Sequence, residues 1–174
     1  MRDGEVLSEA SERIGRGHAE RLAPMVIDVL AAAALSPPDI DRLAVCTGPG
    51  SFTGLRVALS YAKGFALPRR LPVLGFDRLS LALADAPDAL VLQDIRRGEV
   101  MVARHGEAPA ILSAGAAEDM AKDFDGPVLR DPPLSLATAC RLAQTADPDA
   151  HPARAVYGRA PDAKLPGGID PAGL

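Results

Sequence analysis

The sequence has no tryptophan and few aromatic residues of any kind: Phe52, Tyr61, Phe65, Phe76, Phe124 and Tyr157. Six rings scattered over 174 residues make no base-stacking platform. Two cysteines, Cys46 and Cys140, stand far apart and in no Cys-x-x-Cys spacing, so a disulfide framework is excluded; buried thiols in a reducing cytosol are expected. The three histidines, His18, His105 and His151, are isolated from one another and from ligand-spaced partners, which leaves no metal signature. No apolar run approaches the roughly 20 residues of a membrane helix, and the opening "MRDGEVLSEA" lacks the apolar centre of a secretion signal. A formal net charge of −4 supplies no general attraction to nucleic acid or anionic lipid.

What is present is apolar residue in quantity, 48% of the chain, enough for one good-sized core or two small lobes. "GEVLSEAS" reads as a strand entered from the turn at Asp3-Gly4, and "HAERLAPMVIDVLAAAAL" as a helix with a kink or a start near Pro24. "SPPDID" stops it. "RLAVC" is a buried strand, and a second helix spans about Thr53 to Leu67. "LPVLGF", "ALVLQDI" and "GPVLR" read as strands, with "DRLSLALAD", "AAEDMAKDF" and "PLSLATACRLAQTA" as helices between and after them. "GEVMVARHG" is a hairpin partner following the Arg96-Arg97-Gly98 turn, which is either a solvated turn or a contact for an anionic partner. From Asp147 onward Pro, Gly and Ala predominate, and irregular structure is expected. Alternating strands and helices imply an α/β fold with a partly parallel sheet, in two lobes, 1–75 and 76–174.

The segment "CTGPGSFTGLR" joins a strand to a helix through glycines, a layout whose free amides can hold an anion. It fails both well-known tests. Gly54 is followed by Leu55-Arg56 rather than Lys-Ser/Thr, and Gly48, Gly50 and Gly54 are spaced one residue too long for a dinucleotide fingerprint. Gly48, Gly50 and Ser51 remain weak anion or nucleotide candidates. The alternative is a turn with a Ser51 or Thr53 cap that presents the helix to something else. That helix carries only Arg56 and Lys63 as charges, beside Ser60, and a stripe of small residues, Gly54, Ala58 and Ala62. A helix apolar most of the way round is covered on most sides. No Gly-x-Ser-x-Gly elbow exists, and Glu118-Asp119 and Asp123-Asp125 read as solvated surface. No catalytic residue and no metal ligand is assigned.

"GRGHAERLAPMVIDVL", "GPGSFTGLRVALSYAKGFA", "LPVLGFDRLSLALA", "DIRRGEV" and "YGRAPDAK" occur in an order that resembles the TsaB-type, glycoprotease-like proteins of tRNA threonylcarbamoyladenosine biosynthesis, from about Asp3 to Lys164. The resemblance implies a two-lobed fold of the actin-like, sugar-kinase and Hsp70 ATPase class. It implies a non-catalytic partner of a TsaD-type paralogue, joined through the complex by a TsaE-type ATPase, with tRNA reached only indirectly and self-pairing as a competitor. It places partner contact on two helices, at Leu22, Met25, Val29, Gly54, Ala58, Tyr61 and Ala62. TsaD-like proteins carry a His-x-x-x-His metal pair where this chain reads "GFDRLSLALA", without histidine. Family members normally begin with an Asp-Thr-Ser strand and a second strand before the "DG" turn. This sequence opens at that turn, so the first lobe is expected to lack a hairpin, to expose a sheet edge and to bind nucleotide weakly or not at all, with no cofactor. A TsaD-like metal-dependent transferase or peptidase is the alternative reading, and a small-molecule kinase of the same fold class a third.

Overall fold

The computed structural model describes residues 1–157, apart from 13 and 16. Helix α1 (His18–Ala32) leads through a 3-10 turn at Pro37–Asp39 to strand β1 (Leu43–Gly48). Helix α2 (Phe52–Ala66), strand β2 (Val73–Asp77) and helix α3 (Arg78–Asp85) follow. Strands β3 (Leu90–Asp94), β4 (Glu99–Ala103) and β5 (Ala110–Ser113) lead to helix α4 (Ala114–Asp123). Strand β6 (Val128–Arg130) and helix α5 (Leu136–Ala143) complete the elements of the described residues. β1 and β2 pair in parallel, with Leu43 opposite Val73 and Cys46 opposite Phe76. The other sheet has the order β5-β4-β3-β6, antiparallel except for the parallel β3–β6 pair.

Each sheet is covered on both faces. On one side of β1–β2, Val45 packs with Leu59 and Ala62 of α2 and with Ala153 from the segment after α5. On the other, Leu74 and Phe76 meet Leu81 of α3 and Ala139 and Ala143 of α5. The second sheet sets Val91, Met101 and Ala103 against Leu79 and Ala82 of α3, and Leu90, Leu92 and Val102 against Ala117 and Ala121 of α4. α3 therefore serves both cores. Side-chain caps start four helices: Ser51, Asp77, Ser113 and Ser135 accept from the amides of Gly54, Ser80, Ala116 and Thr138.

Three expectations need correction. "GEVLSEAS" is not a strand. Arg2 and Glu5 exchange backbone bonds of 2.9 Å around Asp3 and Gly4, both at positive φ, but no further strand lies alongside, and Val6 is 44% exposed. α1 passes through Pro24 without interruption, beginning at His18 rather than near the proline. It ends in a Schellman arrangement, Leu35 N–H to Leu30 O at 2.9 Å and Ala34 N–H to Ala31 O at 3.0 Å. β5 was not anticipated: only Ile111 and Leu112 in it are large and apolar, and as an edge strand it is mostly exposed.

The stretch 147–157 forms no named strand, yet it is tied down. His151 O accepts from Gly75 N–H at 2.9 Å, Pro152 bridges Leu74, and Val156 N–H reaches Thr47 O at 2.8 Å. The approach demands a glycine at 75, where a Cβ would lie 2.6 Å from both Pro152 O and Thr47 Cγ2. Gly75→Ala is expected to cost about 1–3 kcal/mol by overpacking this contact, measured as a lowered urea midpoint. A second expectation concerns acid. Thr138 Oγ1 donates to Asp85 Oδ1 at 2.6 Å, and this bond, with help from Ser135 and Arg141, holds the carboxyl below its ordinary 3.8. A lowered folded pKa stabilises above 3.8 and stops doing so as pH falls through the folded value. Asp85→Asn should therefore flatten the dependence of the urea midpoint on pH in that acid range.

Candidate functional site: the outer helices and the glycine loop

α2 has three faces, set by its 100° step per residue. Leu55, Leu59, Ala62 and Ala66 are buried and form the core face. Gly54, Ala58, Tyr61 and Phe65 share the flank on which α1 begins: a Cβ at Gly54 would stand 3.8 Å from the His18 ring. Phe52, Arg56, Ser60, Lys63 and Leu67 occupy the opposite flank and are exposed. The small stripe is thus divided. Gly54 admits α1 of the same chain, Ala58 packs against the edge of the β1–α2 core, and Ala62 is 8% exposed within that core. Ala62 is a core residue here, not part of a free helix face, because it points down onto Val45.

α1 itself has no buried residue over fifteen positions. Leu22, Met25 and Val29 are half-buried, as are Val26 and Leu30, while Ile27 is 64% exposed. Among the named elements its main contact is with α2, and Arg21 pairs with Glu12 of the preceding segment at 2.6 Å.

The glycine loop is closed by its own chain. Gly48, at φ 128 and buried, has the Val156 carbonyl where a Cβ would go; Gly50 lies against Leu55. Ser51 Oγ accepts from Gly54 N–H at 2.9 Å, and Ser51 O from Leu55 N–H at 2.9 Å. Tyr157, first residue of the "YGRAPDAK" motif and the only one within the described residues, stacks on Phe52 with ring centroids 5.3 Å apart. The Arg56 guanidinium sits over the other partner of that pair, 4.5 Å from the Phe52 centroid. Sequence reasoning missed this aromatic–cation cluster. Its one local signal was Phe52 directly before a helix with Arg56 one turn on.

The remaining chemistry is sparse. Among the described residues, no three His, Cys, Asp or Glu side chains stand close enough to hold a metal ion. His18 lies beside Gly54 and His151 packs on Phe76 at 4.9 Å. A cavity of about 550 Å³ opens away from the glycine loop, between Met1–Asp3, Asp39–Arg42 and α5, with Cys140 in its wall. No helix among the described residues is long and apolar enough to cross a membrane.

The family of tRNA N6-adenosine threonylcarbamoyltransferases typified by TsaD matches residues 6–127, well over half of the chain. The chain belongs to this family. Within it, the likeness is to TsaB-type proteins. An uncharacterized protein of Mycobacterium tuberculosis is 40% identical over 126 residues, 71% of this chain and 59% of its own length. The tRNA threonylcarbamoyladenosine biosynthesis protein TsaB of Escherichia coli is 39% identical over 97 residues, 52% of this chain and 42% of its own. The chain spans about three fifths of the length of the mycobacterial relative and less of the Escherichia coli one. In structure it resembles YeaZ from Pseudomonas aeruginosa, with a TM-score of 0.65 at 22% identity, covering 84% of this chain and 86% of that one. The α/β architecture is therefore that of the actin-like class.

Burial pushes the Cys46 thiol above its ordinary pKa, against smaller lowering by the Gly48 amide, and burial does the same at Cys140. Both thiols should react with iodoacetamide at neutral pH more slowly in the folded chain than in urea, read by mass spectrometry of the alkylated peptides.

Proposed function

We propose that this chain is a non-catalytic partner of a TsaD-type transferase in tRNA N6-threonylcarbamoyladenosine biosynthesis. The observation that carries the reading is α1, an amphipathic helix of fifteen residues with none buried. Leu22, Met25 and Val29 of α1 and Ala58 and Tyr61 of α2 are all half-buried, and these are the positions we assign to the pairing surface. A paired helix face on another subunit would cover this surface, and a second copy of the chain would compete for it. Methionine suits such an adaptable surface. The TsaE-type ATPase joins through the transferase.

The curated relatives support the pathway by their printed role as TsaB biosynthesis proteins. The alternative, a transferase in its own right, is named by the matching family, but its chemistry needs a ligand cluster that the described residues do not bring together.

The test is co-purification with the TsaD-type protein of the same organism, followed by transfer assays on unmodified tRNA. The chain alone should transfer no threonylcarbamoyl; transfer by the pure chain overturns the reading. Met25→Glu should abolish pairing on size-exclusion chromatography with an unchanged circular dichroism spectrum, since an unpaired charge at a closed interface costs on the order of 3 kcal/mol. Ala62→Arg should instead unfold the chain, because that position is in the β1–α2 core.

A further inference from the structure

The net charge of −4 hides an asymmetry. From Arg42 to Phe76 the sequence holds Arg42, Arg56, Lys63, Arg69 and Arg70 and not one carboxylate. Two of these cations are committed within the fold. Arg42 donates to the carbonyls of Ala143 and Ala146 at 2.6 and 2.8 Å, and Arg69 donates to those of Pro37 and Ile40. Arg56 and Lys63 are not: both are exposed, and neither forms an ion pair with a described residue. They lie seven residues apart on one flank of α2, about 10 Å along the axis, with the small Ser60 between them. Arg70 is exposed just beyond the end of the helix. At one end of this flank stand Phe52, 47% exposed, and Tyr157, 40% exposed, stacked and backed by Arg56.

We infer that this flank of α2, opposite the one that meets α1, is a contact surface for the phosphate backbone of RNA, with the Phe52–Tyr157 pair offering a face to an unpaired base. Charge complementarity selects the occupant. Cations without an ion pair among the described residues, in a carboxylate-free stretch, attract a polyanion locally, and the acidic groups elsewhere are screened over about 8–10 Å. An aromatic pair next to guanidinium and ammonium groups is the combination that holds single-stranded nucleic acid. The surface is separate from the subunit-pairing side, so one helix can serve both. The inference rests on the proposed role in tRNA modification, where an RNA is at hand.

The experiment titrates the complex of this chain and its TsaD-type partner with an unmodified tRNA transcript at several salt concentrations. Arg56→Glu with Lys63→Glu should weaken binding about tenfold and lower the slope of log affinity against log salt by about two. Phe52→Ala should weaken it about fivefold with little change of slope. Pairing, followed on size-exclusion chromatography, should be unchanged in all variants. Arg56→Gln with Lys63→Gln, gentler on the fold, should give a smaller loss of the same kind. Unchanged tRNA affinity and slope in a paired, folded variant overturns the inference, and so does loss of pairing, which would make the flank a protein interface. Failure of the unsubstituted chains to pair defeats the proposed function instead; the same titration on this chain alone, wild type against variants, then decides the RNA contact.

Discussion

The eight-residue helix α3 is the constraint on which the architecture turns. Two leucines in it, two positions apart, point to different cores: Leu81 into the β1–β2 side and Leu79 into the β3–β4 side, each 1% exposed. A helix so short has little stability of its own. It exists because Asp77 caps it, Ser80 N–H to Asp77 Oδ1 at 2.9 Å, and because both its sides are buried at once. At its other end Asp85 takes Thr138 and Arg141 of α5, so the helix is tied to the element that returns to cover the first sheet. Disturb α3 and both sheets lose a face.

The segment after α5 works by the same logic of return. Ala153 completes the β1–α2 core, and the backbone of 151–156 runs close enough to Gly75 and Gly48 that neither position has room for a side chain. The glycine loop is thus shaped as much by what comes back to it as by its own residues. With Val156 filling the space at Gly48 and Ser51 spent on Gly54, the loop fixes where α2 starts and how it is rotated. That rotation decides which residues of α2 go down, which meet α1 and which face outward.

How much of this was legible follows from the kind of signal each part left. Strongly periodic or apolar runs such as "RLAVC", "DRLSLALAD" and "ALVLQDI" gave strands and helices where expected, since burial dictated them. "GEVLSEAS" misled because alternation predicts a strand only where a partner lies alongside, and pairing is not a local property. β5 escaped because an exposed edge strand needs little hydrophobicity. Ala62 was read as interface because a small-residue stripe says that something approaches closely but not what does; its neighbours turned out to be Val45 and Leu59 of the same chain. The Phe52–Tyr157 contact joins residues over a hundred positions apart, and no spacing rule reaches that far.

α1 is the part whose presence packing inside the chain explains least. A fifteen-residue helix with a proline in it is marginal in water, and most helical stability comes from an apolar side being covered. Here coverage comes chiefly from one flank of α2 and leaves no residue of the helix buried. Under the proposed pairing a partner helix would supply further coverage, which ties the helix's own persistence to that pairing. On that account α1 should be the first element to open in the isolated chain and should gain most protection in the complex. Hydrogen exchange of the amides of Leu22 to Leu30, compared between the two states, measures this directly.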